Sequence, residues 1–258
     1  MAAFRSLVGA LVATALLTTQ AGAQDQRPLH FLSKQCNEDA VQVLLDPRPF
    51  QDFVGSAFLL KLEDGKARVL IVGHDCAQYW MDGEDVGPTQ EVQVWVSIRG
   101  IEDVRPVVGA EQTLPTRTWF SLFSGSNNTR VRTAKTASGT AQAQIEGVFL
   151  DAPGQQREGR VSLSKDLHYS WEVLDATPLS RLVGVNHDVY VRDAAGSVVL
   201  NQVQVLLHVR AGPSKARLTV LGGGANPLSL ISPGTYPAMV TTFLPMWSRA
   251  TLGTPLSR

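Results

Sequence analysis

Apolar and polar positions alternate with a period of two along much of this chain. Val92, Val94, Val96 and Ile98 alternate with Glu91, Gln93, Trp95, Ser97 and Arg99, the pattern of a strand with one apolar face. Val199, Asn201, Val203, Val205, Leu207 and Val209 repeat that period over a longer stretch. Further strands are predicted over residues 41–45, 54–62, 67–73, 141–150, 161–174, 188–192 and 215–221. Turn chemistry separates them at Asp64-Gly65, Ala152-Pro153-Gly154, Ala195-Gly196 and Ala211-Gly212-Pro213. Helical windows are few; residues 114–123 and the approach to the C-terminus are the best of them. Strands spaced by roughly 10–15 residues predict a mainly β fold. The expected architecture is a single antiparallel β-barrel or sandwich-like domain with an internal cavity and few short helices. Gly125-Ser126-Asn127-Asn128 and Gly222-Gly223-Gly224 read as loops within it, and no repeat or linker divides the chain.

The first segment is excluded from that fold. Arg5 supplies a positive start, residues 7–17 form an apolar run broken by Gly9 and Thr14, and Ala21-Gly22-Ala23 is an A-x-A cleavage site. These features predict a secretory signal over residues 1–23 and a working β-rich domain over 24–258, in the periplasm or outside the cell. The apolar run falls short of the about 20 residues that a membrane span takes, and no later stretch is long enough, so no transmembrane segment is expected.

Composition narrows the picture further. Of 258 residues, 44% are apolar and 18% charged, which argues against disorder. Lys+Arg and Asp+Glu are both 23, so net charge is zero. Loss of Arg5 with the signal leaves 22 against 23, or −1. No nucleic-acid partner is expected of such a balance, because binding through phosphates needs a basic surplus.

In an oxidising compartment the two cysteines, Cys36 and Cys76, read as one disulfide. Closing a loop of about 40 residues stabilises a fold by roughly 3–4 kcal/mol on the chain-entropy estimate. His74 stands two residues before Cys76, on the same strand face, but two ligands make a weak metal signal. The five histidines, at 30, 74, 168, 187 and 208, show no metal-ligand spacing, so neither metal nor cofactor is expected. No G-x-S-x-G, H-E-x-x-H or P-loop motif occurs, and Asn127-Asn128-Thr129 matches a glycosylation sequon.

What remains is polar strand faces. Glu91, Gln93, Trp95, Ser97 and Arg99 share one; Asp166, His168 and Glu172 share a second; Asp188, Tyr190 and Arg192 share a third. Such faces are ordinarily solvated. They equally suit the lining of a cavity, and Trp95 between Glu91 and Arg99 favours that reading for the first.

Residues 79–98 resemble the signature region of the acetoacetate decarboxylase family. A polar segment leads to Gly87-Pro88-Thr89-Gln90-Glu91, where that family favours Gly-Pro-Tyr-x-Glu, and Glu91 opens a Val-rich strand. The C-terminal layout is similar, with a strand over 216–221, then Pro227-Leu228, then an apolar run ending at Leu252-Gly253. The resemblance implies a β-barrel with an internal cavity for a small acid. The family's decarboxylases form a Schiff base on a lysine whose amine must be free near neutrality. The matching segment here, Arg117-Thr118-Trp119-Phe120-Ser121-Leu122-Phe123, has no lysine, and none lies between Lys66 and Lys135. Nothing in the sequence positions Lys135, so imine chemistry is not expected.

Three functions follow. The first is a barrel that binds a small apolar or carboxylate-bearing molecule, with Arg99 or Arg117 on the carboxylate and Trp95, Trp119 and Phe123 on the apolar part. The second is a lyase or hydrolase of that fold, using Glu91 with His168 or His187. The third is an envelope interaction module with exposed strands. The first two need Glu91, Trp95 and Arg99 inside; the third puts them in solvent or on a sheet edge.

Overall fold

A computed structural model of the chain describes residues 29–100, 104–106, 113–150, 158–164, 167–173, 181–192, 198–221 and 227–252. The predicted signal, residues 1–23, lies outside the described residues. In chain order the elements begin with β1 (Leu29–Leu45), α1 (Arg48–Val54), β2 (Leu62–Glu63), β3 (Lys66–Met81), β4 (Glu84–Asp85) and β5 (Thr89–Ser97). There follow β6 (Val104–Pro106), β7 (Thr113–Ser126), α2 (Thr129–Ala137), β8 (Ala143–Gln144), β9 (Gly147–Leu150) and β10 (Glu158–Ser164). The last are β11 (Leu167–Val173), β12 (Arg181–Arg192), β13 (Val198–Leu221) and β14 (Gly234–Leu252).

The fold is mainly β, one large mixed sheet with two short α-helices among the described residues. Pairing runs β12-β7-β5-β3-β1-β14-β13-β11-β10-β9, and β12 also pairs β13. Seven strands therefore follow one another in a ring of pairings, antiparallel except for β12 with β7. The remaining three, β11, β10 and β9, continue from β13 as a second leaf, which makes the whole sandwich-like.

The leaves part at β13, which runs straight through Ala211-Gly212-Pro213, where the sequence predicts a turn. Pairing explains how a proline fits there. Along one edge of β13, β12 pairs as far as Ala211 and β11 takes over at Ala216. Pro213 sits exposed in the gap between them, so on that edge the ladder is already interrupted where the proline stands, while its other edge keeps the register with Met239 of β14.

Strands β1, β3 and β5 are covered on both faces. Val41, Val43, Val69, Ile71, Val92, Val94 and Val96 form an outer core with Val148 of β9, Leu218 of β13, and Phe50 and Val54 of α1. The opposite face, enclosed by the ring, packs Ala40, Leu70, Val72, Trp95, Trp119, Val185 and Val189. The inner face is where the polar half of each alternation goes.

Three local expectations give way. Residues 114–123 are part of β7, and the C-terminal approach is part of β14, because Thr116, Thr118, Phe120 and Leu122 satisfy period two with residues suited to strands. Residues 54–62 do not form a strand. Phe50 and Val54 sit one turn apart on the buried side of α1, and beyond it Leu60 makes an isolated bridge to Ile98 and Leu62 opens the two-residue β2. Residues 161–174 divide into β10 and β11, an antiparallel pair.

Candidate functional site

A row of polar side chains crosses the inner face. Register sets Glu38 of β1 opposite His74 of β3, His74 opposite Glu91 of β5, and Glu91 opposite Ser126 of β7. All four are buried. His74 Nδ1 lies 2.7 Å from Glu38 Oε2. Burial alone would depress the imidazole, but the charge and hydrogen bond of Glu38, helped by Glu91, raise its pKa above the ordinary value. Tyr79 Oη donates to Glu91 Oε2 at 2.8 Å, and burial followed by the Glu91 charge pushes the phenol well up, so it remains a donor.

The second partner of Glu91 comes from a helix. Lys135 is 3% exposed, and its Nζ is hydrogen-bonded and ion-paired to Glu91 Oε1. Asn128 fixes that approach. Its side chain caps α2 by accepting from the Arg130 and Val131 amides, while its Nδ2 donates to Val86 O and Thr89 Oγ1 beside β5. Val131 and Lys135, four residues apart, then share the buried helix face. The Phe31 ring stands against the ammonium, 5.1 Å to its centroid, and the Cys36–Cys76 disulfide joins directly paired positions of β1 and β3. Phe31, Tyr79, Val131 and the two cysteines make one apolar cluster around this end.

Farther along the inner face, β5 carries Gln93, Trp95 and then Ser97, all buried. His187 of β12 is 3% exposed, stacks on Trp119 with ring centroids 5.7 Å apart, and meets Trp95 at 5.5 Å. Burial, then the charge of Arg117, pushes the imidazole pKa down to about 3, so the ring is neutral at ordinary pH. Gln93 Oε1, Trp119 Nε1 and both His187 nitrogens find no hydrogen-bond partner among the described residues. At this end Arg68 and Arg117 both donate to one acceptor, Gln42 Oε1, at 3.0 and 3.5 Å. They flank a pocket of about 170 Å³ whose wall includes Ser97 and Trp119.

The predicted lining is therefore split. Glu91 stands at one end of the inner face, Trp119 and Arg117 at the other, with Trp95 between. Arg99 falls past the end of β5 and is exposed, so it joins neither group. Phe123 packs against the outer core, because a bulge between Val94 and Trp95 gives β7 one extra residue. That residue puts Ser124 and Ser126, in place of Phe123, on the inner face. His168 belongs to β11 in the second leaf, and its side chain lies outside the described residues. Among the described residues, the histidines on the inner face are His74 and His187. Lys135, Tyr79 and Glu38 were missed; Asn128 ahead of a nine-residue helix was the available signal for Lys135. Among the described residues no cluster of three or more His, Cys, Asp or Glu is arranged to hold a metal ion, and no helix is long and apolar enough to cross a membrane.

No family model and no curated protein matches the chain. Its fold does have solved counterparts. An acetoacetate decarboxylase structure is similar with a TM-score of 0.53 and 9% identity, over 88% of this chain and 87% of that one. The enduracididine biosynthesis enzyme MppR complexed with pyruvate gives 0.51 and 12% identity, over 95% and 97%. The same enzyme with HEPES buffer bound gives 0.52 and 12%, over 90% and 88%. The chain thus has an acetoacetate decarboxylase-like fold.

Proposed function

We propose that this is a secreted protein that takes a small keto acid at the Glu91–Lys135–Tyr79 group and acts on it as a lyase. One observation carries the reading: a lysine amine and a carboxylate, both shielded from water, stand in contact on the inner face. The solved counterparts, a decarboxylase and an enzyme complexed with pyruvate, agree with a ligand of that class. The β7 segment holds no lysine, as the sequence says, but α2 supplies one.

The chemistry follows from the neighbours. Lys135 Nζ passes a proton to Glu91 and attacks the substrate carbonyl carbon. Carbonyl oxygen leaves as water, with protons returned through Glu91, and a protonated imine remains. In a β-keto acid the bond to the carboxylate then breaks, and its electron pair enters the iminium as carbon dioxide departs. Protonation of the enamine carbon and hydrolysis release the ketone and restore the amine. Tyr79 holds Glu91 in place throughout. The envelope-module alternative loses support, since Glu91 and Trp95 are buried and of the three discriminating residues Arg99 alone is exposed.

Borohydride trapping with acetoacetate and with pyruvate tests this, read by mass spectrometry on protein from the secreted fraction. A reduced adduct on Lys135, absent from Lys135→Arg, is the expected result. Trapping nowhere would leave Lys135 a structural ion-pair partner and overturn the lyase reading. The same intact mass checks secretion: a chain beginning at Gln24 and two hydrogens lighter for the Cys36–Cys76 bond is expected. Retention of residues 1–23 would refute it.

A further inference from the structure

We propose that the pocket at the Arg68–Arg117 end of the inner face is a second binding site, for a small monocarboxylate with a short aryl or apolar tail. Charge is the first argument. The lining brings the guanidinium groups of Arg68 and Arg117 together with one carboxylate, Glu63. Glu63 is paired with Arg68. Among the described residues no carboxylate is paired with Arg117, whose guanidinium meets only the Gln42 amide oxygen, at 3.5 Å. Two guanidinium groups drawn to one neutral oxygen repel each other; burial and the nearby Arg117 charge hold the Arg68 pKa below the ordinary arginine value. An anion between them relieves that repulsion, and planar guanidinium forks suit a planar carboxylate.

Shape and the other wall select the rest of the molecule. About 170 Å³ is well below the roughly 300–1,000 Å³ of clefts for drug-sized ligands. Trp119, which lines the pocket and is 1% exposed, has an Nε1–H without an acceptor among the described residues. Behind it His187 stacks at 5.7 Å, so the indole is a rigid plate. Ile98 and Leu62 complete an apolar side. A bare tetrahedral oxyanion would leave that side unused.

This site is separate from the Lys135 group. Ser97 at the pocket and Glu91 at the ion pair are six residues apart on β5, ~20 Å along an extended strand, beyond the span of one small acid.

Titration with benzoate, followed by calorimetry and by tryptophan fluorescence, tests the proposal on the mature chain. Benzoate is expected to bind and perturb the fluorescence, while its neutral analogue benzamide and inorganic phosphate bind at least tenfold more weakly. Arg117→Gln should weaken benzoate at least tenfold and leave borohydride trapping at Lys135 unchanged. Leu62→Glu, at a 46% exposed position of the rim, adds a carboxylate without touching the core, and should also weaken benzoate at least tenfold. Equal binding of benzamide, tighter binding of phosphate, or indifference to Leu62→Glu would each overturn the assignment. Failure of trapping alone would sink the lyase reading and not this one.

Discussion

Glu91 and Lys135, at one end of the inner face, lie in contact, with Glu38 and His74 paired beside them. Arg68 and Arg117, at the other end, converge on a single amide oxygen with one carboxylate between the two of them. Both ends descend from the same alternation on β5, so the sequence pattern does not distinguish them. The strands paired alongside do. Where β5 meets α2 and the start of β1, each buried charge has an opposite; where it meets β7 and the opening by β2, positive charge accumulates at a mouth. Closed pairing favours a held proton, and surplus charge favours a visitor.

The largest expected effect breaks the first end. Lys135→Met leaves Glu91 buried without its ammonium, and removing one partner of a buried pair costs about 3–5 kcal/mol. Denaturant unfolding measures it. Adding Glu91→Leu to that variant should recover much of the loss, since replacing both members is often near neutral. A single variant as stable as the parent would show that the ion pair does not hold this end of the sheet together.

The histidines sharpen the contrast, because they pull in opposite directions. His187 has a folded pKa of about 3 against an ordinary 6.5, so the unfolded chain binds more protons between those values. Its contribution is intact above pH 6.5 and is lost as pH falls towards 3, with a slope of up to about 1.4 kcal/mol per pH unit. His74 has a raised pKa, so its contribution is full below 6.5 and fades as pH climbs through the raised value. A stability–pH curve should therefore flatten on its acid limb in His187→Phe and on its alkaline limb in His74→Gln. The reverse pattern would show the two environments wrongly assigned.

The smallest effect concerns how Lys135 is delivered. Asn128→Ala removes the cap of α2 and should cost about 1 kcal/mol. Its signature is a fall in borohydride trapping at Lys135 with benzoate binding untouched, since only one end hangs on that helix.

Much of this was legible. The period-two face on β5, with Glu91 among its polar members, and the Cys36–Cys76 bond follow from residue order. Less was legible where a second strand decides the outcome. Alternation on β5 ordinarily means a wet face; here β12 closes over Trp95 and β9 over Val92 and Val94. The bulge that turns Phe123 outward is one residue of slack in β7, invisible without its partner strand. Helix α2 offers only Val131 and Lys135 to the interior, too few for an apolar period to emerge, so its capping asparagine was read as loop.

The fork at Pro213 has a consequence for how the molecule comes apart. Because β12 and β11 hang from successive lengths of the same edge of β13, losing that strand dissolves both leaves together. Its other edge carries β14, which in turn carries β1. Melting is therefore expected as a single cooperative transition, with the slowest-exchanging amides along β13, the spine common to both halves.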